Sequence, residues 1–427
     1  MVEVDLADTE NLYTSTSPSD LNIKINYVGL MSMVMNILNC VLGAGIFSIA
    51  NSLTFCGVIP SILMITFSAI FTYISTILVI KMAAISNSES IGYLAQITVG
   101  RVGSGLLSVS LLCFCYACMT AYLIMSTEII QGWLNLMGVK TDTFGKRSLV
   151  VVLYAFVLPI ALTIPKEIKF LNMTSTFCFA ALVTYVIGIF YKFFTIVPVS
   201  GINPSVETSV FGIKLFNALG IYSLAFALAG VIIPIIRNME PTLHKRYQAV
   251  GIAFFLSFII TLIPGLLGYL IFGKGSKPFI LSNFPDTDIL FIIVRVACLI
   301  VLTASYPALG VTILAVFSRW FYKTENHAAL IWKHRAVVLL CQNILPLAVA
   351  IFLPNVRPAM GIGGAFGAGV SNLVLPPLMY VFISKRRWYH WKNILCLIMF
   401  VVGTAAAAIA TYEAVLDCIH AFASHVK

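Results

Sequence analysis

Charged residues are scarce in this sequence. Asp, Glu, Lys and Arg make up 10% of the 427 residues, whereas hydrophobic residues make up 60%, and the mean hydropathy is +1.00. A soluble domain of this length needs far more charge to cover its surface. The shortage of charge therefore excludes a soluble globular protein and predicts a polytopic membrane protein. The net charge of +10 lies in loops between apolar runs, so it gives no indication of nucleic-acid binding.

Clusters of catalytic or metal-binding residues are also lacking. No apolar run contains a His and acid cluster, or a nucleophile with a base nearby, so the sequence does not predict an enzyme. Cys113, Cys115 and Cys118 have a metal-like spacing, but without nearby His or acidic residues they fit small apolar fillers. Cys56 and Cys418 both lie near the predicted outer face, where a disulfide is an open alternative.

Apolar runs of membrane-spanning length recur along the chain and predict an all-α membrane domain over residues 27–427. The polar, acidic residues 1–26 predict a flexible cytoplasmic tail without a cleavable signal peptide. Residues 88–103 have the spacing of a short amphipathic helix on the membrane surface. Eleven spans are predicted, at residues 28–51, 54–81, 103–136, 148–165, 169–196, 212–238, 247–273, 287–321, 331–354, 357–384 and 393–420.

The basic residues predict the orientation of these spans. With the N-terminus in the cytoplasm, sixteen Lys and Arg residues fall in cytoplasmic segments and nine in outer segments, and Arg295 lies within a span. Cytoplasmic loops of membrane proteins carry such an excess. The glycosylation acceptor Asn172-Met173-Thr174 falls on the cytoplasmic side and is expected to be unused. No targeting motif distinguishes the plasma membrane from endosomal or vacuolar membranes.

Two of the spans contain residues that interrupt a helix. The first span carries Gly43–Gly45 with Asn39 before it, and the sixth carries small residues over Ala225–Gly230, followed by Pro234. Glycine is a poor helix former, and an Asn amide in hydrocarbon needs a partner. Glycines here also fit close packing at a helix crossing. Because the two interruptions lie five spans apart, they favour an inverted-repeat transporter with its site near the membrane midplane.

An unwound turn within a membrane exposes backbone groups that hydrocarbon cannot satisfy. The half-helix after the break offers N–H donors and a positive dipole to a carboxylate, and the half-helix before it offers carbonyls to an ammonium group or Na⁺. A zwitterionic amino acid needs both. The predicted substrate-binding residues are Leu42, Gly43, Ala44, Gly45, Tyr222, Phe226, Ala227 and Gly230.

Six stretches carry a family resemblance, in order along the chain. They are NILNCVLGAGIF, GYLAQITVGRVG, LPIALTIPKEIKFLNMTS, GIYSLAFALAGVIIPIIRNMEP, RVACLIVLTASYP and GGAFGAGVSNLVLPPLMY. Together they resemble the amino acid/auxin permease family, which includes the sodium-coupled neutral amino acid transporters and the vacuolar amino acid transporters. The resemblance implies a LeuT-type fold with discontinuous first and sixth spans. Its two inverted repeats of five spans would cover residues 28–196 and 212–384, and residues 393–420 would form an accessory span.

The resemblance further implies secondary active transport of amino acids, coupled to Na⁺ or H⁺ and without another cofactor. In the sodium-coupled members the ion site maps onto Asn39, Thr303 and Ser305. The two hydroxyl residues lie two positions apart and do not share a helix face, so Thr303 is favoured. Many members carry a His near the sixth-span break, but this chain has Ala229-Gly230-Val231 there. Proton coupling through that His is therefore excluded, and the apolar break suits a neutral side chain.

Two alternatives to coupled transport remain open: an amino acid-sensing receptor on the transporter fold, and an uncoupled facilitator or exchanger. The short N-terminal tail carries no docking motif, which disfavours the receptor. Arg295 is a charge inside a predicted span and is therefore a functional candidate. The alternative is that Arg295 snorkels or pairs with an acidic residue near the outer boundary. Glu128 either is that partner or lies at the interface beside Trp133.

Overall fold

The computed structural model describes residues 27–141, 143–165, 170–324, 330–353, 355–384, 387 and 389–425, without the side chains of residues 170–175 and 421–425. Helices are the regular structure of this described part, which contains no strand. The predicted tail, residues 1–26, lies outside it. The side chains of the glycosylation acceptor at Asn172 also lie outside the described residues.

Eleven helical segments lie where the eleven apolar runs predict them, and we number them spans 1 to 11. Within the described residues, nine helices are long and apolar enough to cross a membrane. These nine are Val58–Ser86, Gly100–Leu136, Phe144–Thr163, Thr176–Ser200, Leu243–Gly275, Ile289–Tyr322, Trp332–Phe352, Arg357–Ile383 and Trp391–His420. Spans 1 and 6 are interrupted. A short helix, Ile91–Thr98, precedes span 3 at the predicted surface position.

The two interruptions differ in form. Span 1 consists of helix Leu30–Val41 and a second half, Ala44–Phe55, and the two halves are bent by 52°. Span 6 consists of helix Leu215–Ala225 and the short helix Ile232–Ile236, with a non-helical turn of six residues between them. Both interruptions fall within the stretches that the small residues of the sequence predict.

Span 10 departs from regular α-helix as well. Its middle, Gly363–Val374, is a π-helix between the α-helices Arg357–Ile362 and Leu375–Ile383. A π-turn is wider than an α-turn, and such turns occur frequently at functional sites. The sequence motif of span 10 contains four glycines, but neither it nor the span prediction indicates this widening.

Glycines bring span 10 against the centre of the bundle. A Cβ atom on Gly364 would lie 1.9 Å from the Gly220 carbonyl oxygen of span 6, and a Cβ on Gly367 would lie 2.6 Å from the Phe114 backbone nitrogen of span 3. Neither distance can accommodate a side chain. Small residues thus allow the backbones of spans 3, 6 and 10 to approach closely, as in other membrane helix packings. This contact positions span 10 beside the sixth-span interruption.

The ten cysteines of the chain are all free thiols. The Sγ atom of Cys56 lies 3.1 Å from the Ser61 hydroxyl oxygen, so the alternative of a disulfide to Cys418 is not realised. Cys113, Cys115 and Cys118 belong to no group of three or more His, Cys, Asp or Glu residues that could hold a metal ion in the described part of the chain.

Candidate functional site

The first-span interruption, which we call the first break, leaves main-chain groups without partners. Leu42 donates its N–H to the Leu38 carbonyl at 2.8 Å and Gly43 donates to Val41 at 3.0 Å, which ends the helix. The next two N–H groups, of Ala44 and Gly45, find no backbone acceptor among the described residues. The Ala44 N–H faces the Tyr122 hydroxyl of span 3.

The carbonyls before the first break are similarly open. Within the described chain, no backbone N–H donates to the carbonyl oxygens of Asn39, Cys40 or Leu42. The open Gly45 N–H and the Ala44 N–H beside Tyr122 therefore follow the break, and unpaired carbonyls precede it. This is the arrangement of partial charges that a helix interruption creates inside a membrane.

Glycine is required at the first break for space. A Cβ atom on Gly43 would lie 2.5 Å from the Tyr122 hydroxyl oxygen, and a Cβ on Gly45 would lie 2.8 Å from the Cα atom of Ala225. The sequence leaves two interpretations of these glycines open, helix interruption and close packing at a helix crossing. Both apply, because the residues interrupt span 1 and also pack against neighbouring spans. Since Ala225 ends the first half of span 6, the two interruptions are in contact.

The turn Phe226–Val231, which we call the sixth-span break, is satisfied by a side chain of span 10. Asn372 accepts through its Oδ1 atom from the Leu228 N–H at 3.1 Å and from the Ala229 N–H at 2.8 Å. The Asn372 side chain is 1% exposed. The two breaks thus differ: Asn372 binds two N–H groups of the sixth-span break, whereas at the first break the Tyr122 hydroxyl meets the Ala44 N–H and the Gly45 N–H stays open.

Other predicted residues of span 6 lie in the buried interior with apolar surroundings. Phe226 and Ala227 are buried, and a Cβ on Gly230 would lie 2.4 Å from Leu111 of span 3. Tyr222 is fully buried, and its hydroxyl lies beside Cys56, Ser52 and Ser61. That hydroxyl therefore points toward the second half of span 1 and the start of span 2, away from Gly43–Gly45.

The three predicted ion-site residues have different environments. The Asn39 Oδ1 atom and the Ser305 hydroxyl are buried without a hydrogen-bond partner. The Thr303 hydroxyl instead lies 2.8 Å from the Tyr154 hydroxyl of span 4 and donates to the Leu299 carbonyl at 2.7 Å. No hydrogen bond joins Asn39 to either of the span 8 residues, although the first half of span 1 and span 8 are in contact.

Arg295 belongs to a polar cluster at the face predicted to be external. Its Nη1 atom lies 2.7 Å from an oxygen of Asp286, and its Nη2 atom donates to the carbonyls of Leu281 and Phe284. Arg295 thus pairs with an acidic residue, but the partner is not the candidate Glu128, which accepts from the Ser282 hydroxyl at 2.7 Å. The actual partner, Asp286, comes from the loop between spans 7 and 8, three residues before the helix of span 8 begins.

The same loop covers the second half of span 1. Asn51 donates to the Ser276 carbonyl at 2.6 Å, and the Ser48 hydroxyl donates to the Pro278 carbonyl. The ring of Phe47 makes an edge contact with the Tyr185 ring at a centroid distance of 5.0 Å and another with Phe279. The breaks are therefore closed off from the face predicted to be external.

Sequence reasoning missed Asn372, Tyr154 and Asp286. An Asn within the apolar run of span 10 is a signal of a buried polar role, because an amide in hydrocarbon needs a partner. The pairing of Asn372 with residues more than a hundred positions away in the chain carries no sequence signal. The same holds for the contact of Tyr154 with Thr303.

Comparisons with known proteins agree with this architecture. A family model described as transmembrane amino acid transporter protein matches residues 28–416. The chain is 26% identical over 391 aligned positions to sodium-coupled neutral amino acid symporter 2 from Danio rerio. The alignment covers 83% of this chain and 75% of that protein.

Two solved structures have the same overall arrangement. MhsT in complex with L-phenylalanine has a TM-score of 0.62 and 12% identity, covering 92% of this chain and 100% of that one. The second is MHP1, a nucleobase-cation-symport-1 family transporter in a closed conformation with bromovinylhydantoin bound. Its TM-score is 0.59 at 13% identity, and the alignment covers 93% of this chain and 95% of MHP1. At these identities the similarity concerns the fold alone, and it confirms the predicted LeuT-type class.

Proposed function

Because this chain belongs to the family of transmembrane amino acid transporter proteins, we propose that it carries neutral amino acids across a membrane by alternating access, coupled to Na⁺. The chain is a multi-pass membrane transporter and not an enzyme. The relative from Danio rerio is a sodium-coupled neutral amino acid symporter by name. The observation that carries the proposal is the first break, with the open Gly45 N–H after it and unpaired carbonyls before it.

A substrate carboxylate fits the donor side of this break. The N–H groups of Ala44 and Gly45 have no backbone acceptor, and the Tyr122 hydroxyl lies against Gly43. Main-chain donors at a helix start bind anions well because the dipole favours negative charge there. The ammonium group of the same substrate would take the open carbonyls before the break. A zwitterion would thus complete both sides of the interruption at once.

The unpaired oxygens near the first break support Na⁺ as the coupling ion. Hard cations prefer oxygen ligands, and a buried oxygen without a partner is costly unless something binds it. Asn39 Oδ1 and the Ser305 hydroxyl are both of this kind. Thr303 is less suited to this role because Tyr154 and Leu299 already bind its hydroxyl. The proposed ion ligands are therefore Asn39, Ser305 and the open carbonyls of span 1.

The surroundings of the breaks favour a substrate with an uncharged side chain. The buried charged residues in the described part of the chain are Arg295, Arg335 and Glu413, and none of them belongs to span 1 or span 6. A charged side chain would lose its hydration without gaining a counter-charge. Phe226 and Ala227 supply apolar contacts instead.

Uptake by purified protein in proteoliposomes tests the proposal. Radiolabelled neutral and charged L-amino acids are offered with an inward Na⁺ gradient, an inward H⁺ gradient or neither. We expect concentrative uptake of neutral substrates under the Na⁺ gradient alone. Flux that responds to H⁺ alone would overturn the choice of ion, and flux indifferent to both would identify an uncoupled facilitator. Binding that stabilises the protein against heat without any flux would identify a receptor.

A further inference from the structure

Asn372 forms every hydrogen bond that its amide group allows. Its Oδ1 atom accepts from Leu228 and Ala229, and its Nδ2 atom donates to the Ala368 carbonyl at 2.8 Å and to the Ser371 hydroxyl at 3.1 Å. A primary amide has two donors and two acceptor positions. Asn372 therefore has no remaining capacity for a substrate, and its bonds are divided between its own span and the sixth-span break.

The two N–H groups that Asn372 binds are the ones that a ligand would otherwise satisfy. Leu228 and Ala229 are fully buried, and they follow the end of helix Leu215–Ala225. A buried backbone N–H without a hydrogen-bond partner destabilises the fold. Without Asn372 the turn would either take a substrate group as its acceptor or rewind into helix.

The π-helix of span 10 holds this side chain in place. Asn372 lies within the π-helical stretch Gly363–Val374. The glycines of this stretch leave no room for movement toward spans 3 and 6, since a Cβ on Gly364 would lie 1.9 Å from the Gly220 carbonyl oxygen. The amide therefore sits on a rigid backbone, and the local Nδ2 bonds to Ala368 and Ser371 fix its orientation.

We infer that Asn372 is a built-in ligand of the sixth-span break, which keeps that break unwound without substrate and leaves the substrate carboxylate to the first break. The second half of this inference rests on the proposed function. Asn372 is thus a positioning residue: it acts through the main chain of Leu228 and Ala229 and does not contact the substrate. Asn372 also determines where the substrate carboxylate binds, because the N–H groups of Leu228 and Ala229 are already bonded to its amide oxygen and are not available to the carboxylate.

Hydrogen–deuterium exchange of the purified full-length protein tests this role. The wild-type peptide covering residues 226–231 should exchange slowly without substrate, and adding saturating L-alanine should not slow it further. The apolar variant Asn372→Leu should exchange roughly tenfold faster or more at this peptide, since two buried donors lose their acceptor. Asn372→Asp keeps an oxygen acceptor but loses the Nδ2 donations to Ala368 and Ser371, so it should retain part of the protection.

Asn343 provides a matched control. It is a buried asparagine of span 9. Its Oδ1 accepts from Tyr306 and its Nδ2 donates to Leu339, and neither partner belongs to the sixth-span break. Asn343→Leu should leave exchange at residues 226–231 unchanged. If Asn372→Leu does not fold, the wild-type comparison with and without L-alanine still decides, because substrate-dependent protection would mean that substrate and not Asn372 satisfies the break.

Two results would overturn the inference: unchanged exchange in a folded Asn372→Leu variant, or wild-type protection that appears only with L-alanine. Uptake gives the second readout. Asn372→Leu should lower kcat/KM roughly tenfold or more, with partial recovery in Asn372→Asp. Absence of uptake by the wild type would overturn the proposed function and leave the exchange results standing, so the two failures are distinguishable.

Discussion

Single side chains determine how closely the two interrupted spans approach each other. Gly45 contacts Ala225, so the first break and the end of the first half of span 6 meet through residues without bulky side chains. Gly43 faces the Tyr122 hydroxyl in the same way. The Tyr122 hydroxyl therefore has two effects: it leaves no room for a side chain at residue 43, and it faces the Ala44 N–H.

The coupling at Gly43 predicts a rescue. Gly43→Ala should destabilise the protein by about 1–3 kcal/mol through overpacking, because its Cβ would lie 2.5 Å from the Tyr122 hydroxyl oxygen. Adding Tyr122→Phe removes that oxygen and leaves the ring carbon at 3.5 Å as the nearest atom. Thermal unfolding should therefore recover in the double variant, while substrate affinity stays low because the hydroxyl is gone.

Gly105→Ala is the control for this rescue, since no atom lies within 4 Å of its added Cβ. It should leave uptake unchanged and should not lower stability, because Ala is a better helix former than Gly within helix Gly100–Leu136. Equal thermal stability of Gly43→Ala and Gly43→Ala/Tyr122→Phe would contradict the steric explanation. Recovery of substrate affinity together with stability would contradict the role of the Tyr122 hydroxyl in binding.

The ion ligands make a second prediction at the residue scale. Ser305→Ala and Asn39→Ala should each raise the Na⁺ concentration that gives half-maximal uptake by roughly tenfold, as expected for losing one charge-assisted contact of about 1.5–3 kcal/mol. Thr303→Val should instead behave like Tyr154→Phe, because both break the same hydroxyl pair. The measurement is uptake against Na⁺ concentration. A strong Na⁺ effect of Thr303→Val that Tyr154→Phe does not reproduce would restore Thr303 as the ligand.

Elements of the fold were predicted better than their contacts. The apolar runs located the spans to within a few residues, since hydrophobic length is a local property of the chain. The glycines and small residues located both interruptions for the same reason. The partners were not predicted: Asp286 for Arg295, Asn372 for Leu228 and Ala229. Asn372 meets Leu228 and Ala229 because of helix packing, which periodicity within one span does not encode. Asp286 is only nine residues from Arg295 but lies in the loop before the span 8 helix, outside any helical periodicity.

The loop between spans 7 and 8 owes its position to Arg295, and this predicts a double-mutant effect. Asp286→Ala leaves the buried guanidinium without its counter-charge, and breaking a buried pair in this way costs up to about 3–5 kcal/mol. We expect a smaller loss here because Asp286 is 37% exposed. Adding Arg295→Met removes the uncompensated charge, so the melting temperature should partly recover. A double variant less stable than Asp286→Ala would show that the carbonyl bonds of Arg295, and not its ion pair, hold the loop.

In the molecule as a whole, the two faces are closed by contacts of different strength. At the face predicted to be cytoplasmic, Val28 donates to the Asn238 carbonyl at 2.9 Å, and Arg237 pairs with Glu89 at 2.7 Å, with side chains 50% and 73% exposed. Exposed ion pairs contribute about 0–1 kcal/mol. The opposite face is closed by the buried side chain of Arg295 and by the covering loop, so the contacts that spans 1 and 6 make are weaker at the face predicted to be cytoplasmic. The buried Arg335 at that face joins other spans, because it donates to the Pro165 carbonyl at 2.8 Å.

Which side the weaker contacts face depends on the orientation of the protein in the membrane. The basic residues predict that the N-terminus is in the cytoplasm. Lys214 and Lys245 are exposed and lie on either side of span 6, so one membrane crossing separates them. With the N-terminus inside, a membrane-impermeant thiol reagent should label Lys214→Cys in intact cells, and Lys245→Cys only after permeabilisation. The unsubstituted protein measures the background from its ten native cysteines. The reverse labelling pattern would invert the topology, and the weakly closed face would then open to the outside.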